Sequence, residues 1–222
     1  MNKEVRRFVY LEAMLLWAYA YLGLWPFDSL PQPSRYAFLA VIFLYSTLMV
    51  SPLTIVFPNI PYKLTFLRAR KALGISSFFF ALTHALTAFR DSLGGFQGIV
   101  LFSLRELLPY IIGASALLIL TAMAATSPPS MVNRLGRYWK RLHRFVYLAG
   151  VLILVHVAMV PKSIKLPIVL NYLIFAMVGF LIVLELIRFN RFLSIKYKFL
   201  ENKRFWPLLS FAILYLIYIL SY

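Results

Sequence analysis

The sequence has no cysteine and few charged side chains. Without cysteine, the 222-residue chain has no disulfide, thiolate metal site, iron–sulfur cluster or covalently attached c-type haem. Charged residues make up 14% of the chain, against about a quarter in an average soluble domain. Hydrophobic residues make up 62%, and mean hydropathy is +0.82. A soluble core of this size could not bury so much apolar surface, so the sequence predicts a polytopic membrane protein.

Acidic residues are also scarce, with seven Asp and Glu against 23 Lys and Arg, for a net charge of +16. Such an excess can indicate nucleic-acid binding. Here, however, the basic residues cluster between long apolar runs, as in loops at an anionic membrane surface. The sequence therefore predicts membrane lipid as a partner and no nucleic acid.

Six apolar runs have about the 20 residues that a membrane helix needs. A seventh run, 205–222, is marginal in length, and the N-terminus lacks a signal-peptide cleavage site. We therefore expect an all-α integral membrane protein in one domain, 1–222. We expect six transmembrane helices packed as a bundle, with a possible seventh C-terminal apolar helix. The C-terminal basic segment and this helix cover 188–222. The six runs are roughly 8–25, 36–57, 72–90, 109–126, 143–160 and 167–187.

The Lys and Arg residues are unevenly divided between the two predicted sides. Eighteen lie at the N-terminus, in two alternate loops and after the sixth run, and five lie on the other side. The positive-inside rule then places the N-terminus in the cytoplasm of a multi-pass protein of the plasma or inner membrane. The longest outer loop, 90–109, has the pattern of a short amphipathic element on the outer surface.

The chain has three histidines, and two are predicted to lie at the same depth. His84 is 12 residues into the third run and His156 is 13 residues into the fifth. At 1.5 Å per residue, these positions are about 18 Å and about 20 Å from the cytoplasmic side. Both helices run in the same direction, so the two side chains are expected to face a shared partner inside the bundle.

Two imidazoles at matched height predict the axial ligands of a non-covalently held haem b. The expected fold is therefore a six-transmembrane-helix haem-binding bundle. Nearby hydroxyl residues, such as Thr83 and Thr87, are candidates to accept the imidazole Nδ1 proton. Zinc is an alternative, but it needs a third and a fourth ligand, and no acidic residue lies at this depth. A purely structural hydrogen-bonding role is the remaining alternative for each histidine.

His143 lies near the cytoplasmic boundary, about 140° around the helix from His156. It is a candidate ligand of a second, inner haem, with Arg68 and Arg70 suited to the propionates. An interfacial histidine in a basic loop is an equal alternative.

Two segments resemble a known family. RARKALGISSFFFALTHALT (68–87) has a basic cluster and Leu-Gly before the first histidine, and LGRYWKRLHRFVYLAGVLILVH (135–156) has the pattern LG-x-x-W-x-x-LH-x-x-VYL before a second. Over about 50–190, the chain resembles the ferric-reductase-like transmembrane domain. The closest branch is the stand-alone bacterial haem-binding subunit of the periplasmic methionine sulfoxide reductase system. The resemblance implies a haem b protein that carries electrons across the membrane, with His84, His143 and His156 at the ligand positions.

Larger members of this family append a flavin- and nicotinamide-binding domain, and this sequence has no Gly-rich dinucleotide loop. We therefore expect a separate cytoplasmic flavin reductase or a quinol as the electron donor, with FMN or quinone as a possible cytoplasmic-side cofactor. The expected acceptor is an outer-side oxidoreductase. Two alternatives stay open: a terminal ferric-chelate or oxygen reductase, and a haem-free proton-coupled transporter in which Glu12 and the histidines relay protons.

Overall fold

The structure is a computed structural model that describes residues 2–24, 27–160 and 168–196. All regular secondary structure within these residues is helical. The helices are α1 (Asn2–Leu22), α2 (Gln32–Val56), α3 (Lys63–Asp91), α4 (Gly95–Ile99), α5 (Leu104–Ala125), α6 (Pro129–Leu135), α7 (Arg137–Met159) and α8 (Ile168–Lys196).

Five helices in the described part of the chain are long and apolar enough to cross a membrane: α2, α3, α5, α7 and α8. They correspond to five of the six predicted spans and confirm an all-α membrane protein. The 21-residue helix α1 is not among them, because five charged residues in its first half shorten its apolar stretch. A crossing by α1 stays a prediction, and the run 205–222 lies outside the described residues.

Helix α2 is the centre of the bundle. It packs most extensively against α3 and also against α8, α1 and α7. Two buried hydrogen bonds join it to its neighbours: Ser77 of α3 donates to the Ala40 carbonyl over 2.9 Å, and Tyr45 donates to the Gly150 carbonyl of α7 over 3.1 Å. Lipid offers no competing hydrogen-bond partner, so such bonds help to fix the arrangement of the helices.

Five helices begin before the apolar runs that predicted them: α1, α2, α3, α5 and α7. α3 begins at Lys63, and α5 begins at Leu104, before Pro109. A capping box starts α5: the Ser103 hydroxyl accepts from the Glu106 backbone N–H, and the Glu106 carboxylate accepts from the Ser103 N–H. Hydropathy measures only the apolar part of a helix, so it missed the polar turns that extend beyond it.

The loop between α3 and α5 is therefore shorter than the predicted 90–109. It contains one short helix, α4, of five residues, in the segment where a short amphipathic element is predicted. Phe96 and Leu101 are more than four-fifths exposed there.

The helix ends form two groups. The histidine end contains the beginnings of α2 and α5 and the last turns of α3 and α7. The basic end contains the beginnings of α1, α3 and α7 and the ends of α2 and α5. Contacts link its elements: Lys71 donates to the Ser127 carbonyl just after α5 over 2.6 Å, and Arg191 of α8 donates to the Ile55 carbonyl of α2 over 2.9 Å. The predicted basic clusters, as far as the structure describes them, thus share one end of the bundle.

Candidate functional site

The histidine end brings His84 of α3 and His156 of α7 together. Their ring centroids are 6.1 Å apart, with ring planes at 66°. Both side chains are half-buried. The two helices that carry them belong to different packing pairs, since α3 packs mainly on α2, and α7 mainly on α5. The two histidines therefore meet at the same level, as the count of residues along each helix predicts.

Each imidazole is held by a backbone carbonyl of a neighbouring helix. His84 Nδ1 lies 2.9 Å from the Pro33 carbonyl at the start of α2, and His156 Nδ1 lies 2.7 Å from the Pro109 carbonyl in α5. A carbonyl oxygen only accepts, so each Nδ1 is the donor. In the neutral imidazole the unprotonated nitrogen is then Nε2, which is the form that binds metal.

This finding corrects the predicted role of the hydroxyl residues beside His84. Thr83 donates to the Phe79 carbonyl, and Thr87 donates to the Thr83 and His84 carbonyls. Both hydroxyls therefore bond within their own helix, and the acceptors for the imidazoles come from α2 and α5. Hydroxyls in a helix tend to bond to carbonyls of the preceding turn, which explains the difference.

Gly113 of α5 makes room for His156. A Cβ at this position would lie 2.9 Å from His156 Nδ1 and 3.1 Å from Cε1. Any larger residue would press against the ring that Pro109 orients from the same helix. Gly113 and the two proline carbonyls are parts of the site that sequence reasoning missed.

The spacing of the two rings fits one metal ion held between them. A metal–nitrogen bond is about 2 Å long, and the centre of an imidazole ring lies about 1.1 Å beyond the bonded nitrogen. Two imidazoles on opposite sides of a metal ion then have centroids roughly 6.3 Å apart, and two imidazoles at tetrahedral positions have centroids roughly 5.1 Å apart. The observed 6.1 Å is close to the opposed value. Among the described residues, no group of three or more His, Cys, Asp or Glu side chains could hold a metal ion. The donor set fits a haem, whose macrocycle supplies the other iron ligands.

His143 lies at the other end of α7, apart from the pair. Its ring stacks on Trp139 with centroids 4.0 Å apart, and Nε2 lies 3.3 Å from the Thr126 hydroxyl. That hydroxyl donates its own hydrogen to the Ala122 carbonyl over 2.7 Å, so it accepts from His143. In the neutral ring the proton of His143 is therefore on Nε2, and Nδ1 is unprotonated, the reverse of the arrangement in His84 and His156.

The remaining candidates are dispersed. Arg70 and Arg68 precede His84 by 14 and 16 residues in α3, about 21 and 24 Å along the helix. They therefore belong to the basic end with His143, where Arg68 is half-buried and Arg70 exposed. The Glu12 side chain of α1 is exposed. The structure does not bring these residues to the histidine pair.

Comparison with known proteins agrees with this architecture. The profile of the ferric reductase like transmembrane component matches residues 35–154, more than half of the chain. The match includes His84 and ends just before His156.

Two curated relatives are similar over part of the sequence, and both are protein-methionine-sulfoxide reductase heme-binding subunits MsrQ. The protein from Pectobacterium carotovorum subsp. carotovorum is 36% identical over 121 residues, which are 53% of this chain and 58% of that protein. The protein from Pectobacterium atrosepticum is 32% identical over 157 residues, 69% of this chain and 73% of that protein. The chain belongs to the family of ferric reductase-like transmembrane components.

Proposed function

We propose that this protein is a haem b membrane subunit that carries electrons from one side of the bilayer to the other. One observation carries the proposal: two imidazoles on separate helices have ring centroids 6.1 Å apart, and each donates Nδ1–H to a backbone carbonyl. A bound haem supplies one-electron redox chemistry at its iron. The relatives from Pectobacterium are heme-binding subunits by name, which supports the same cofactor here.

The chain's own residues would hold and tune that group. His84 and His156 would hold the haem iron through Nε2, the nitrogen left unprotonated, and the Pro33 and Pro109 carbonyls would fix the ring orientation and raise the basicity of both ligands. Gly113 leaves the space that the His156 ring occupies.

We place the basic end in the cytoplasm. Its Lys and Arg clusters obey the positive-inside rule, and the strongly basic segment 134–144 would dock an acidic electron donor. The donor is a separate flavin reductase or a quinol, with FMN or quinone as a possible cofactor on that side. The acceptor is an outer-side oxidoreductase of the methionine sulfoxide reductase type, because the relatives are named as subunits of such a reductase.

A second haem at the basic end is the finer part of the proposal. It would use Nδ1 of His143, since Nε2 is bonded to the Thr126 hydroxyl. Arg68 and Arg70 would face its propionates. No histidine of α3 lies at this level, so a second axial ligand would come from another group or be absent.

The two rival functions have less support. A terminal ferric-chelate reductase needs free ligands outside, yet Asp91 is paired with Arg90, and Glu106 is used in the capping box of α5. A proton relay through Glu12 needs this side chain inside the bundle, and it is exposed.

The test is a dithionite-reduced minus oxidised spectrum of the purified protein, with haem quantified per chain, for the parent and for three variants. We expect a low-spin b-type spectrum that is lost in His84→Ala and in His156→Ala. A ratio near two that falls to one in His143→Ala would establish the second haem. A colourless parent expressed with ample haem, or an unchanged spectrum in both His84→Ala and His156→Ala, would overturn the proposal.

A further inference from the structure

A groove at the basic end is lined by four cationic side chains from two helices. Lys3, Arg6 and Arg7 come from the first two turns of α1, and Lys71 comes from α3. The groove has a volume of about 460 Å³ and is open on one side. None of its nine described lining residues is acidic. Four like charges around one small volume favour an anionic occupant.

Two of the four cations, Arg7 and Lys71, have described partners that leave the charge at the groove. Arg7 forms an exposed ion pair with Glu4 at 3.2 Å, and such pairs contribute little because water screens them. The Lys71 ammonium donates one hydrogen bond to the Ser127 carbonyl over 2.6 Å and has two further hydrogens to donate. The groove is thus preorganised around Lys71, which is tied to the end of α5.

The remaining walls of the groove are mainly apolar. They are formed by Tyr10 of α1, Ile75 of α3 and Ala124 of α5, the last two one turn or less further into the bundle than the cations. The groove lies about 20 Å along α3 from His84, since 13 residues separate Lys71 from that histidine. The cations are expected at the level of the lipid headgroups, and the apolar walls lie beside them on the side of the hydrocarbon. This arrangement suits a ligand with an anionic headgroup and an apolar tail.

We propose that this groove binds the phosphate headgroup of an anionic phospholipid. Basic pockets between membrane helices on the cytoplasmic side recognise such headgroups. The cations bind the phosphate, and the walls formed by Tyr10, Ile75 and Ala124 contact the first part of the acyl chains. A free phosphate compound such as a flavin mononucleotide shares the phosphate chemistry. However, Tyr10 is the only aromatic residue among the described lining residues on which a flavin ring could stack. The site is independent of the histidine pair and of the proposed haem.

The experiment measures lipid bound to the full-length protein by native mass spectrometry. The protein is purified in mild detergent and incubated separately with phosphatidylglycerol, cardiolipin, phosphatidylcholine and FMN. We expect about one anionic lipid per chain and no specific retention of phosphatidylcholine. Each removed cation is expected to weaken binding about fivefold, since a basic residue near the headgroups contributes roughly 1 kcal/mol.

The variants are Lys71→Gln, the double variant Lys3→Gln/Arg6→Gln, and Lys63→Gln as the matched control. Lys63 lies on α3 at the same end of the bundle, but its ammonium contacts the Pro58 carbonyl outside the groove. Lys63→Gln should bind like the parent, and Lys71→Arg should restore binding because it keeps the charge. If Lys71→Gln proves unstable, the double variant Lys3→Gln/Arg6→Gln still tests the groove. Its two substitutions are near the start of α1, where Lys3 is exposed.

Three results would overturn the proposal. The first is equal retention of phosphatidylglycerol and phosphatidylcholine by the parent. The second is an undiminished anionic adduct in both groove variants. The third is stoichiometric retention of FMN that anionic lipid does not displace and that the groove variants lose, which would assign the groove to a nucleotide phosphate.

Discussion

Gly113 of α5 faces the imidazole of His156 in α7 so closely that a Cβ at this position would lie 2.9 Å from Nδ1. The same nitrogen donates to the Pro109 carbonyl, one turn earlier on α5. One turn of a single helix thus both orients the histidine and leaves the space for it. Steric fit and hydrogen bonding at His156 are therefore coupled.

Gly113→Ala should displace the His156 ring and weaken its hydrogen bond to Pro109. We expect a lower haem content per chain, or a shift from a low-spin towards a mixed-spin spectrum, measured by optical and electron paramagnetic resonance spectroscopy. Gly179→Ala in α8 is the matched control, because nothing lies within 4 Å of a Cβ there. A spectrum identical to that of the parent in Gly113→Ala would show that the ring has room to move.

Thr126→Val should affect only the basic end. The substitution removes the acceptor for His143 Nε2–H and should lower the free energy of unfolding by about 1 kcal/mol. The spectrum assigned to His84 and His156 should not change, because those residues lie at the opposite end. Thr121→Val is the control, since Thr121 is exposed on α5 and its described side-chain hydrogen bond is to the Leu117 carbonyl. A changed spectrum in Thr126→Val alone would indicate a chromophore at His143.

Tyr45→Phe should loosen the contact between α2 and α7. It removes the buried bond to the Gly150 carbonyl, and we expect a loss of about 0.5–1.5 kcal/mol in the free energy of unfolding. The measurement is thermal or denaturant unfolding in detergent, with Tyr172→Phe on the exposed side of α8 as the control. Equal stability of the two variants would mean that this bond adds nothing to helix association.

Arg35→Gln should weaken the attachment of α1 to α2. Arg35 donates through Nε to the Leu30 carbonyl over 2.8 Å and through a terminal nitrogen to the Ala20 carbonyl over 3.0 Å. Charge-assisted bonds of this kind contribute about 1.5–3 kcal/mol each, so cleavage by added protease between α1 and α2 should become faster. The exposed Arg105→Gln is the control. Unchanged cleavage in Arg35→Gln would show that other contacts hold α1.

The sequence predicted the helices and the meeting of the histidines because both depend on regular helical rise. Counting residues from the basic clusters places His84 and His156 at one height, and the structure brings their rings together. Pro33, Pro109 and Gly113 could not be found in this way, since their roles depend on which helices flank α3 and α7. The start of α5 could have been predicted from the sequence, because Ser103 and Glu106 have the spacing of a capping box.

The acceptors at the two candidate ligands are peptide carbonyls, which every amino acid possesses. Replacing Pro33 or Pro109 alters the side chain but leaves an oxygen in the chain at that point. A substitution at either proline therefore changes the hydrogen bond of the imidazole only by moving the backbone. Few single substitutions are therefore expected to alter the candidate site directly. The positions where they would are the two histidines and Gly113, which leaves space for the His156 ring.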